Sequence, residues 1–105
     1  MADDVQVRDN PDLSRYEIYV DGALAGYTAY GLHGEDADFL HTQIDDAYEG
    51  HGLGSKLIGA ALDDARSRGL RVLPYCPFVR SFLEKHSEYA DLVPPSKRSQ
   101  FGLPE

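Results

Sequence analysis

Tyr48-Glu49-Gly50-His51-Gly52-Leu53-Gly54-Ser55-Lys56-Leu57 sets glycine at every second position and then runs straight into a helical pattern. From Leu53, apolar residues recur at Leu57, Ile58, Ala61, Leu62 and Ala65, which is one face of an α-helix. Gly69 after Arg66-Ser67-Arg68 supplies the stop, with cations at the negative end of the helix dipole. A glycine-rich turn that opens a helix leaves backbone N–H groups without intrahelical partners. With the positive end of the dipole, those groups form a ready site for phosphate.

Two nucleotide motifs are excluded by spacing. A Walker-type P-loop ends in Gly-Lys-Ser/Thr, and Gly54-Ser55-Lys56 has that order reversed. A dinucleotide fingerprint needs its third glycine further on and an acidic residue after the following strand, and Gly50-His51-Gly52-Leu53-Gly54 lacks that spacing.

Upstream of the turn the period is that of strands. Val5–Val7 reads as a short strand ending at the Asp9-Asn10-Pro11-Asp12 turn cluster. Arg15–Val20 places Tyr16, Ile18 and Val20 on one face, and Asp21-Gly22 is a hairpin pair suited to positive φ. The return strand spans Ala23–Tyr30, with Gly26 marking a bulge or a close backbone approach. Gly31–Glu35 reads as a loop, and Asp38–Ile44 as a further strand. Downstream, Leu70–Leu73 is expected to run parallel to the strand before the helix, closing a right-handed β-α-β unit. Pro77 suits the first turn of a second helix from Phe78 to about Ser87. The expected fold class is therefore α/β (α+β): an antiparallel N-terminal meander followed by a β-α-β-α unit. The expected organisation is a single domain over residues 1–93, followed by a loose tail over 94–105 with little apolar content.

Composition narrows the partners. The chain has 105 residues and a formal net charge of −8, the wrong sign for bulk binding to nucleic acid. Residues 1–49 carry 12 Asp/Glu against 2 Lys/Arg, whereas residues 50–105 carry 6 against 8, so an anion is better tolerated in the second half. The acidic half is compatible with a cationic amine substrate and equally with a plain solubilising surface. No apolar run is long enough for a membrane span. Met1-Ala2-Asp3-Asp4 lacks the basic start of a secretory leader, and the lone cysteine, Cys76, suits a reducing compartment. A cytoplasmic protein acting as a monomer is the expectation. The four histidines and one cysteine show no His-x-x-x-His or Cys-x-x-Cys spacing, so no metal site is expected.

The turn resembles the acyl-CoA pyrophosphate loop of the GNAT acetyltransferase superfamily, whose pattern is Arg/Gln, two residues, Gly, one residue, Gly/Ala. Gly52 and Gly54 match, and Glu49 falls where the pattern has Arg or Gln. His41-Thr42, Ala61–Arg66, Leu73–Val79 with its Cys76-Pro77-Phe78 core, and His86-Ser87-Glu88-Tyr89 resemble one small branch, the single-domain "N-acetyltransferase domain-containing" proteins of about a hundred residues. Ser87 stands where that branch usually has proline. The resemblance implies a stripped-down GNAT core that binds CoA or acetyl-CoA between splayed parallel strands and acetylates an amine acceptor of undefined identity. It also implies that the backbone around Gly50, His51, Gly52, Leu53, Gly54 and Ser55 holds the pyrophosphate. The strand at Ile44 would pair with the pantetheine, and the thioester would lie near Cys76 and Phe78.

Two candidate catalytic residues have alternatives. Cys76, before a helix N-terminus, is either a thiol that accepts the acetyl group or a small buried hydrophobe. His41, on the strand entering the cleft, is either a general base or a packed strand residue. Asp45, Asp46 and Glu49 form a carboxylate run that a solvated edge explains, and Tyr16, Tyr19, Tyr27 and Tyr30 read first as sheet packing. A CoA-binding or interaction module with little or no turnover is the competing reading, sustained by Glu49 and by the absence of an evident base.

Overall fold

Strand alternation and turn chemistry dominate the first half of the chain. The computed structural model describes residues 4–103, so most of the acidic start, Met1-Ala2-Asp3, lies outside the described residues. Strands β1 (Val5–Asn10), β2 (Arg15–Val20), β3 (Ala23–His33) and β4 (Asp36–Ile44) form an antiparallel meander. Asp21 and Gly22 both take positive φ (50° and 83°), the backbone twist that a two-residue hairpin needs. β1 runs past its expected end because Asp9 and Asn10 pair with Tyr16 and Arg15. The expected Gly31–Glu35 loop shrinks to a turn at Gly34, since Leu32 and His33 stay paired with Ala37 and Asp36.

Helix α1 (Leu53–Ser67) begins at Gly52, which caps it in a left-handed conformation, φ 70°. Its end is a Schellman motif: Leu70 N–H donates to Ala65 O at 2.9 Å and Gly69 N–H to Arg66 O at 3.1 Å. β5 (Arg71–Pro74) then joins the sheet parallel to β4, giving the order β1-β2-β3-β4-β5. Helix α2 (Pro77–Lys85) has Pro77 at its start, as the sequence predicts.

The core lies between α1 and the sheet. Leu57, Ile58, Ala61 and Leu62 are fully buried against Ile18, Phe39 and Val72. At the rim of that core, Tyr16 hydroxyl donates to Asp64, and Arg68 bridges Asp64 and Asp9 at 3.0 and 2.7 Å. Tyr30 hydroxyl donates to Asp9 at 2.6 Å, and burial beside that carboxylate pushes its pKa up to about 12. This lattice ties β1, β2 and β3 to the C-terminal turn of α1.

The C-terminal segment departs from the expected loose tail. After Ser87–Leu92 and Pro95–Arg98, a 3-10 turn at Ser99–Phe101 carries Phe101 onto Tyr75, ring edge to ring face at 5.1 Å. Phe101 and Leu103 belong to the same buried cluster as α1, so the segment up to Leu103 packs with the domain. Two apolar side chains buried in that cluster suffice, however polar the segment as a whole. No described helix is long and apolar enough to cross a membrane.

Candidate functional site

β4 and β5 pair only from Asp36↔Arg71 to Phe39↔Pro74. β5 ends there and Cys76 N–H donates to Phe39 O at 2.8 Å, whereas β4 continues to Ile44. From Leu40 onward the β5 side of β4 has no strand partner among the described residues. The strands therefore part, and α1 and α2 flank the opening.

A cavity of about 340 Å³ lies at that opening. Ile44, Gly50, Gly52, Leu53, Gly54, Ser55 and Phe78 line it, together with Thr42, Tyr48 and Glu49. The first turn of α1 contains no acidic side chain, and no side chain caps it. The first intrahelical bond of the turn is Lys56 N–H to Gly52 O, so the N–H groups of Leu53, Gly54 and Ser55 have no acceptor within the helix. That is the donor set an anionic phosphate requires, beside a strand edge able to pair with amides. Within this wall Glu49 is the discordant residue, since its carboxylate opposes an anion there. Among the described residues no three His, Cys, Asp or Glu side chains are arranged to hold a metal ion.

Cys76 is 3% exposed and sits just behind the cavity wall. Its Sγ is 3.3 Å from Thr42 Oγ1, which is in turn 2.9 Å from Thr28 Oγ1. Sequence reading missed Thr42 and Tyr48 as wall residues. For Thr42 the reason is a bulge: β3–β4 pairing passes from Ala29↔His41 to Tyr30↔Phe39, leaving Leu40 unpaired. After it, Thr42 and Ile44 follow Phe39 on the helix side. His41 turns to the opposite face, exposed, with its ring 6.1 Å from that of Tyr27. The structure therefore does not bring His41 into the cavity with Cys76. Nor does it bring His51, which faces a neighbouring cavity of about 720 Å³ with Val5, Val20, Asp21 and Lys56.

The same architecture recurs in solved structures. A GCN5-like protein of Staphylococcus aureus, solved by NMR, superposes with a TM-score of 0.66 at 23% identity, over 85% of this chain and 87% of that one. Ard1 of Thermoplasma volcanium gives 0.52 at 25% identity over 62% of this chain and 45% of that one. The N-acetylglutamate synthase of Neisseria gonorrhoeae, in complex with coenzyme A and N-acetyl-glutamate, gives 0.51 at 19% over 58% and 15%. No curated protein matches the sequence. The sequence model of GCN5-related N-acetyl-transferases matches residues 15–92, which span strands β2 to β5, the glycine turn and both main helices. The chain belongs to the GCN5-related N-acetyltransferase family.

Proposed function

We propose that this chain binds acetyl-CoA where β4 and β5 part and transfers its acetyl group to an amine. One observation carries the reading: the uncapped N–H groups of α1 and the unpaired edge of β4 line a single cavity. The N–H groups of residues 53–55 and the dipole behind them bind the pyrophosphate. The β4 edge at Thr42–Ile44 pairs with the pantetheine amides as a strand would. Phe78, 43% exposed, covers the ligand from α2. Catalysis comes mainly from positioning, with backbone donors polarising the thioester carbonyl.

The burial of Cys76 and its bond with Thr42 support direct transfer, in which the thiol forms the floor under the thioester. Intact-mass measurement after incubation with acetyl-CoA is expected to show no adduct on Cys76. An acetylated Cys76 that then passes its acetyl group to an amine would instead establish a two-step covalent route.

Titration calorimetry with CoA tests the reading directly: no heat at high micromolar CoA would remove it. Glu49→Gln sharpens the test. Removing the carboxylate from the cavity wall is expected to tighten CoA binding about three- to tenfold at low salt, the size of one solvent-screened repulsion. The gain should shrink as salt rises. An unchanged dissociation constant at low salt would show that Glu49 turns away from the ligand.

A further inference from the structure

The apolar core does not close at the start of α1. Val5 and Val20 pair across β1 and β2 on the same face as Ile18, yet they are half-buried where Ile18 is fully buried. Beyond them lies the neighbouring cavity of about 720 Å³, whose apolar lining Ala23, Tyr48 and Leu53 complete. Tyr48 and Leu53 also line the cleft beside the glycine turn, so the two cavities share a wall.

The charged groups of this lining are of both signs. Lys56 comes from α1 and Asp21 from the β2–β3 turn, with His51 from the glycine turn. Elsewhere in the fold Arg15, Arg66, Arg68 and Arg71 each meet a carboxylate within 2.8 Å. Among the described residues neither Lys56 nor Asp21 takes part in any ion pair, with each other or with a third group. Asp21 Oδ1 accepts the N–H of Asp4 at 2.9 Å, which engages one carboxylate oxygen. Opposite charges that line one cavity without meeting leave a gap for a ligand that carries both.

The geometry points to a second binding site here, for a short apolar peptide with free ends, a zwitterion of dipeptide size. Its carboxylate takes the Lys56 ammonium and a ring N–H of His51, and its own ammonium donates to Asp21. Its side chains lie on Val5, Val20 and Leu53 and remove that apolar surface from water. The cavity has the volume usual for ligands larger than a single amino acid. This peptide is not the acetyl acceptor, because Thr42, Cys76 and Phe78 are absent from the lining. Packed on Tyr48 and Leu53, it steadies the turn whose N–H groups serve the pyrophosphate, so each ligand favours the other. That coupling rests on the acetyl-CoA reading of the cleft, whereas the site itself does not.

The test begins with an amide NMR titration of the nitrogen-labelled full chain with leucyl-leucine, without CoA. Shifts are expected at Val5, Val20, Ala23, Tyr48, Leu53 and Lys56, and none at Thr42 or Cys76. Acetylating the peptide's amine, or amidating its carboxylate, should weaken binding about three- to fivefold, as loss of one exposed ion pair does. Asp21→Asn should reproduce the first loss and Lys56→Met the second. Asparagine keeps the bond from Asp4 N–H and tolerates the φ of 50° at this position. In Asp21→Asn the acetylated peptide should then lose nothing further, a result that a merely structural role of Asp21 would not produce. Saturating leucyl-leucine should lower the CoA dissociation constant about fivefold in calorimetry. Shifts centred on Thr42 and Cys76, no shifts, or capped peptides that bind as tightly as the free one overturn the site. An unchanged CoA affinity overturns the coupling. Normal peptide binding with no CoA binding removes the acetyl-CoA reading, and the coupling with it, while the site stands.

Discussion

Gly54→Leu is expected to weaken CoA binding by about a hundredfold or more, close to 3 kcal/mol, while leaving the fold intact. Gly54 lies in the first turn of α1 and lines the cleft, and a Cβ there would stand 2.5 Å from Phe78 Cζ and 3.2 Å from both Cε atoms. The obstacle is the far end of a side chain that is 43% exposed, so the ring can swing outward. The leucine branch then occupies the cavity beside the N–H groups of Gly54 and Ser55. Stability should change little. Replacing a helical glycine gains roughly 0.5–1 kcal/mol, which offsets part of the ~1–3 kcal/mol that crowding costs. Calorimetry with CoA and a thermal melt on one preparation separate the two effects. Wild-type CoA affinity in this variant would sink the idea that the cleft at Gly54 is the ligand site.

That glycine could be singled out because its signals are local. The left-handed Gly52, the apolar series from Leu53 to Ala65 and the glycine stop at Gly69 are each specified within a turn of helix, and the structure repeats them. The Asp21-Gly22 hairpin is local in the same sense. What stayed hidden was decided by partners distant in sequence. The unpaired Leu40 arises from how β4 lies against β3, and no residue near Leu40 announces it. Its consequence is large, because one extra residue exchanges the faces of everything beyond it. Unbroken alternation from Phe39 would carry His41 rather than Thr42 to the helix side, and the bulge reverses the two. The tail was misread for a related reason. Phe101 and Leu103 are two apolar residues in a polar stretch, and only the distant residues of the buried cluster make them core.

Gly26→Ala is expected to cost about 2–3 kcal/mol, the upper range for a forced overlap in a packed interior. In a domain of this size that lowers the melting temperature by roughly 10–20 °C. Gly26 pairs with Ile44 across β3 and β4, and a Cβ there would stand 2.5 Å from Gln43 O, 2.6 Å from Ile44 Cδ1 and 3.0 Å from Ile44 Cα. Two of those atoms are backbone, so no side-chain rotation relieves the clash, in contrast to Phe78 over Gly54. Relief requires β3 and β4 to separate at Ile44, which is the stretch of β4 that lines the cleft. CoA affinity should therefore fall together with stability. Gly34→Ala provides the contrast: Gly34 has φ 61° in an open turn, with nothing within 4 Å of its Cβ position. Its cost is backbone strain alone, about 1–2 kcal/mol, with no displacement of β4. Denaturant melts and CoA titrations of the two variants distinguish a steric from a conformational origin. If both lost the same stability and both kept wild-type CoA affinity, the close approach at Gly26 would not be what seats β4 beside the cleft.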